Sequence, residues 1–188
     1  MSREYVTVTA EQIEKAERLL HGLKGAAGKA LARSLNRSLE SSRTEGVRKV
    51  RQEYNVRAKD VRKTIKLSRA KPNRLTAVIS STGGALPLAS FKYKPATVNP
   101  RRRTPVRVGV TKGALETLDR AFVARVNGVK GIYERIGQRR LPIRQLYGPS
   151  VPQMIGNDSV VQSMASRARE TMDIRLDHEI ERILNGAK

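Results

Sequence analysis

A chain of 188 residues with 38% hydrophobic content can bury one core, so a single domain over residues 1–188 is expected. Aromatic residues make up only 4% and both Trp and Cys are absent, which leaves a core of Leu, Ile, Val and Ala. The missing Cys excludes disulfides, thiolate metal sites and cysteine nucleophiles, while a net charge of +21 makes polyanions the natural company.

Residues 1–8 alternate as a short strand or extended arm, with Tyr5, Val6 and Val8 as the apolar members. No apolar run is long enough to span a bilayer and the opening residues lack a signal-type apolar stretch, so a cytoplasmic start without a membrane partner is expected. Thr9 followed by Gln12 is a capping-box start, and Ile13, Ala16, Leu20, Leu23, Ala27, Ala30, Leu31 and Leu35 then recur at helical spacing. Gly22, Gly25 and Gly28 form either a small-residue packing face or a break. Helical character continues over residues 45–54, Asn55 and Val56 interrupt it, and a short basic helix is predicted over residues 58–67. That helix presents Lys59, Arg62, Lys63 and Lys66, which suit DNA phosphates, acidic residues of a partner, or plain solvation; it lacks the amide side chains of a base-reading helix.

Residues 47–112 are acid-poor: Glu53 and Asp60 stand against a long series of Lys and Arg that includes Arg101, Arg102 and Arg103. The periodicity turns to strands after Pro72, with residues 74–82 and 86–93 read as a hairpin across Gly83 and Gly84. Residues 95–104 read as a basic loop whose three arginines either meet phosphates or are simply hydrated. Val106, Val108 and Val110 mark a strand, residues 113–117 a turn or short helix, and residues 121–126 a strand with Phe122 inward. Residues 131–136 are its partner across the Asn127–Gly128 turn. A last helix is predicted over residues 158–184, with Met164, Ala168, Met172, Leu176 and Ile180 among its apolar stripe.

Between these lies the most unusual segment, residues 137–154, where Pro142, Pro149, Pro152 and Gly148 punctuate alternating apolar residues. Proline fixes torsions and removes ladder donors, so this reads as a stiff, edge-located, projecting arm with a Pro-rich connector at residues 148–157. Its Arg140, Leu141, Pro142, Ile143, Leu146, Tyr147, Pro149, Pro152 and Met154 are the candidate contacts to a neighbouring subunit or a partner protein.

Phe122, Gly128, Gly131 with Arg135, the Arg140 to Ile143 segment and Tyr147-Gly148-Pro149-Ser150 together resemble the signature of the prophage minor tail protein Z family, among the tail-completion proteins of long-tailed bacteriophages. Residues 30–38 and 86–93 extend the resemblance over most of the chain. It implies a structural virion protein that completes the tail and joins it to the head or neck, as a ring of its own copies (a hexamer among the options) around the channel that carries genomic DNA. Other tail and neck proteins are the implied partners, with host cytoplasm as the place of assembly.

No phosphate-binding glycine loop, nucleophile elbow or HExxH occurs, and His21 and His178 are far apart in sequence, so no catalytic residue, cofactor or metal is expected. The fold expected is α+β: a small, mainly antiparallel sheet flanked by a long N-terminal helix and a C-terminal helix. Its parts are a helical basic region (9–67), a strand-rich region (74–147), the connector and the last helix. A basic DNA-binding module acting on the phosphate backbone without base specificity is the second reading.

Overall fold

The computed structural model describes residues 2–7, 9–23, 25–98 and 104–186. Two long helices, α2 (Ala26–Glu53) and α5 (Asp158–Gly186), run side by side as the backbone of the molecule. They are antiparallel, since Arg33 meets Glu179 near one end while Glu53 accepts from Ser159 Oγ near the other. On α2 the facing positions Ala30, Ser34, Ser38, Ser42 and Gly46 recur every fourth residue, and all are buried. Small side chains along an i+4 row let two helix backbones approach closely. At Gly46 the approach is tight enough that a Cβ would lie 2.6 Å from Met164 Sδ. The hydroxyls of Ser38 and Ser42 donate to the carbonyls of Ala168 and Met164, so these buried polar groups are satisfied across the seam.

The expected N-terminal helix is divided. The capping box at Thr9 and Gln12 starts α1 (Ala10–Leu19), but Gly22 and Gly25 adopt positive φ (86° and 70°) and turn the chain before α2 begins. Of the three glycines only Gly28 serves close packing, its Cα facing the Pro72 carbonyl at a spacing where a Cβ would come within 2.9 Å. Asn36 fastens the same region to α2 by accepting from the Ala70 N–H and donating to the Ala70 carbonyl.

The short basic helix α3 (Ala58–Thr64) is anchored by the fully buried Val61. It stops three residues earlier than predicted, because Ile65 turns extended and opens β2 (Ile65–Ser68). The alternation of half-buried Ile65 and Leu67 with exposed Lys66 and Ser68 fits a strand pairing on one side. That partner is β3 (Thr76–Ser81), whose other edge takes β1 (Ser2–Thr7), all antiparallel. With both edges of β3 occupied, the hairpin expected across Gly83 and Gly84 does not form. The chain leaves instead to β4 (Ala85–Pro87), a 3₁₀ turn at Leu88–Ser90, and β5 (Lys92–Lys94).

β5 pairs with β6 (Val106–Gly109), and β6 with β7 (Glu116–Leu118), a strand where a turn or short helix was predicted. β8 (Ala121–Val126) and β9 (Val129–Arg135) form the expected hairpin over Asn127 and Gly128. Val123 rather than Phe122 is the buried member of β8; Phe122 is half-buried on the other face, its ring 6.4 Å from that of Tyr133. The α+β class and the flanking helices are as expected, with the strands among the described residues divided between four small antiparallel sheets.

The proline-rich segment departs most from its reading. Residues 137–142 do stand out from the body, all exposed. From there the chain returns: β10 (Ile143–Gln145) pairs with β9, and β11 (Tyr147–Ser150) pairs with β4. The β11 ladder is irregular between Tyr147 and Ser150, so Pro149 gives up no regular ladder bond. Gly148 sits against Phe91 and Leu88, where a Cβ would come within 2.9 Å and 3.1 Å of their side chains. Ser150 then forms a capping box with Gln153 and starts α4 (Val151–Ile155), with Pro152 in the first turn, where a missing N–H costs little. Residues 148–157 are therefore not a free connector, and the projecting part of the arm ends at Pro142.

Two expectations test this packing. Gly148→Val drives a branched side chain into Phe91 and Leu88 and should cost about 1–3 kcal/mol in urea unfolding; an unchanged midpoint would contradict the contact. Glu45 is held from its ordinary 4.5 down to about 2, first by the hydrogen bond from Arg48, with Ser163 adding to it against the opposing effect of burial. A carboxyl lowered on folding stabilises above its unfolded pKa and loses that contribution as pH falls through the folded one. The gap in urea midpoint between wild type and Glu45→Gln should therefore shrink between pH 4.5 and about 2. A gap independent of pH in that range would refute the assignment.

Candidate assembly and polyanion surfaces

The sequence-predicted contact residues separate into an exposed set and a buried set. Met154 is 1% exposed and Pro152 is buried, both inside the core beside α4, which corrects their assignment to a subunit interface. Leu146 is half-buried and exchanges backbone bonds with Ile132 and Leu88, and Pro149 is half-buried in β11. These four hold the body together. Arg140, Leu141 and Pro142 lie on the exposed loop, and Tyr147 is largely exposed with its hydroxyl donating to Gln145.

The loop is braced rather than loose. The Pro142 carbonyl accepts from the Ile136 N–H, and the Arg140 carbonyl accepts from the Arg135 guanidinium at 2.7 Å. Arg135 in turn stacks over Phe122 at 5.1 Å. Beneath the loop Ile143, Phe122 and Val106 line a cleft of about 550 Å³, which Leu141 and Val98 also border. Ile136 (60% exposed), Leu141 (64%) and Val98 (47%) leave large apolar side chains in water around or near it. Monomeric surfaces carry scattered apolar residues, and these three make this region a candidate contact surface.

Lys59, Arg62 and Lys63 are exposed on α3 and Lys66 is exposed on β2, so the four do not all lie on one helix as predicted. Arg101, Arg102 and Arg103 lie outside the described residues. The helical pair is electrostatically different: Arg43–Glu40, Arg48–Glu45, Lys49–Glu53, Arg167–Glu170 and Arg182–Glu179 tie up much of its charge on its own surface. Such exposed pairs contribute about 0–1 kcal/mol each, but they cancel the local field.

A second cleft, about 620 Å³, opens where the end of α2 meets β5 and β9. Arg51, Arg57, Lys92, Lys112 and Lys130 line it and no carboxylate does. Reading the chain linearly brings out Arg51, Arg57 and Lys92 only as members of a long basic series, and Lys112 and Lys130 not at all. What gathers them is a set of long-range backbone bonds, Asn55 N–H to Val110 carbonyl and Lys112 N–H to Glu53 carbonyl. The acid-poor composition of residues 47–112 was the signal available beforehand.

Among the described residues there is no cluster of three or more His, Asp or Glu able to hold a metal, and no helix long and apolar enough to cross a membrane. His21 and His178 are both exposed. No curated protein and no solved structure matches the chain. The family described as prophage minor tail protein Z (GPZ) does match, over residues 11–186, which takes in every element from α1 to α5. The chain thus belongs to the prophage minor tail protein Z family, and its work is that of a structural protein of the phage tail among other tail proteins.

Proposed function

We propose that this tail protein completes the tail and joins it to the head or neck as a ring of identical subunits around the DNA channel, six copies being the number to test first. It assembles in the host cytoplasm and ends in the virion, and it acts by contact, with no reaction step. The single observation that carries the reading is the apolar group on the exposed loop: Ile136, Leu141 and the neighbouring Val98 beside a cleft in the same subunit. An apolar projection set beside a cleft of its own chemistry suits a contact between copies, and where that contact is head-to-tail it is the kind that closes into rings. The braced loop also loses little freedom on docking. Arg140, Leu141, Pro142, Ile143 and Tyr147 are the residues proposed to meet the neighbour or another tail protein. A basic module on the DNA backbone remains the second reading, favoured by the exposed cations of α3 and β2.

Deleting residues 141–154 would remove Val151 and Met154 from the core, so a surface substitution is the cleaner test. Wild type and an Ile136→Asp, Leu141→Asp double variant are compared by size-exclusion chromatography with light scattering at low and high salt. Wild type should form a discrete oligomer that persists at high salt. The variant should be monomeric with an unchanged melting temperature, since exposed substitutions cost within about 0.5 kcal/mol. A variant that assembles like wild type, or a wild type that stays monomeric at every concentration, would defeat the proposal.

A further inference from the structure

The cleft between the end of α2 and strands β5 and β9 has no counter-charge of its own. Arg51, Lys92 and Lys112 are exposed and have no carboxylate within ion-pair distance among the described residues. Arg57 is bound by Asp60 at 2.7 Å, and Lys130 lies 5.6 Å above the Tyr93 ring while donating to the Ala96 carbonyl. Three unpaired cations and two anchored ones therefore converge on one opening. Apart from Arg57, these cations have no carboxylate partner among the described residues, and like charges at one place repel each other unless an anion enters.

From this convergence we infer that the cleft is a seat for a nucleic-acid phosphate backbone, read without regard to sequence. Three features separate that ligand from an acidic protein segment. A docking peptide needs apolar anchor pockets, whereas Phe91 and Val56 in the cleft are 5% and 7% exposed and already spent on the core, and Val129 at 60% is a single exposed valine rather than a pocket. The cleft's amides are also occupied: Asn55 donates to the Gly109 and Thr111 carbonyls, and Gln145 accepts from Tyr147. The Gln145 amino group is then the one amide donor left to a base edge among the described residues, too little for base readout, while phosphate needs only cations. Third, acids that stand out on α5 are engaged within their own subunit, Asp177 on Lys15 and Glu179 on Arg33 and Arg182. Arg57 is the N-cap of α3, so the exposed Lys59, Arg62 and Lys63 carry the same charge onward from the cleft rim.

The inference rests on the proposal that DNA passes the assembled protein, and it names the residues that meet it. Its test measures binding of a short fluorescein-labelled DNA duplex by anisotropy across a NaCl series, with oligomeric state followed in parallel by light scattering. The proteins are wild type, the cleft triple Arg51→Gln, Lys92→Gln, Lys112→Gln, and a control triple Lys29→Gln, Arg169→Gln, Arg175→Gln that removes the same charge from the helical pair. Each phosphate-binding side chain lost should reduce the slope of log K against log salt by about 1, so the cleft triple should lose about 3. The control should stay near wild type, and two duplexes of different base composition should bind alike. Equal slopes for both triples, or a cleft triple that keeps the wild-type slope, would overturn the assignment. So would poly-glutamate binding that depends on the cleft while DNA binding does not. If the slope falls instead in a Lys59→Gln, Arg62→Gln, Lys63→Gln, Lys66→Gln variant, DNA contact stands and the cleft does not. A wild type that fails to bind duplex at low salt removes both.

Discussion

The structure depends on how closely α2 and α5 can approach. Both helices are long for a chain this size; α2 alone extends about 42 Å at 1.5 Å per residue. A core almost without aromatic rings has to gain its contacts from dense packing of small and aliphatic groups instead. The row Ala30, Ser34, Ser38, Ser42, Gly46 makes that possible on one side, and Met164, Ala168 and Met172 fill it from the other. Methionine is the suitable counterpart, since its unbranched chain fits the shallow gaps left by serine and glycine. The second face of α2, with Leu31, Leu35 and Leu39, is then free to bury against the rest of the molecule.

That arrangement also sorts the charge. Along the helical pair, acids and bases alternate closely enough to neutralise one another, and Glu45 shows it most clearly, bound by Arg48 and by Ser163 across the seam. The excess of +21 is thereby pushed toward α3, the sheets and the loops between them. Charge carried by a subunit of a symmetric assembly is multiplied by the copy number, and self-repulsion grows with it. The excess is thus concentrated in one region while a second region is closed into ion pairs.

Elements whose pattern is local were legible in the chain. The Thr9 capping box, the stripe of α5 and the Asn127–Gly128 hairpin each carry their signal within a few residues. Where the outcome depended on a distant partner, the sequence misled. Ile65 and Leu67 satisfy a helical spacing as well as a strand alternation, and only the free edge of β3 decides between them. The hairpin across Gly83 and Gly84 is a reasonable local reading that fails because β1, from the other end of the domain, takes the edge it would need. The five-cation cleft was invisible for the same reason, being assembled from α2, β5, β9 and the two loops at residues 57 and 112.

The proline-rich segment shows what its odd composition is for. Each unusual residue answers a local requirement: Gly148 admits Phe91 and Leu88, Ser150 caps α4, and Pro152 sits where a helix has no use for its N–H. Tyr147 to Ser150 therefore converts a strand into a helix within four residues, at the point where the sheets are joined to the helical pair. α4 carries this joint, for Val151, Met154 and Ile155 are all buried between the two layers. A signature of this kind answers to the fold, and the braced loop that precedes it is the part of the segment left in solvent. Residues 137–142 can change chemistry without disturbing the joint, because everything that fixes their position is backbone or lies on Arg135 and Ile136.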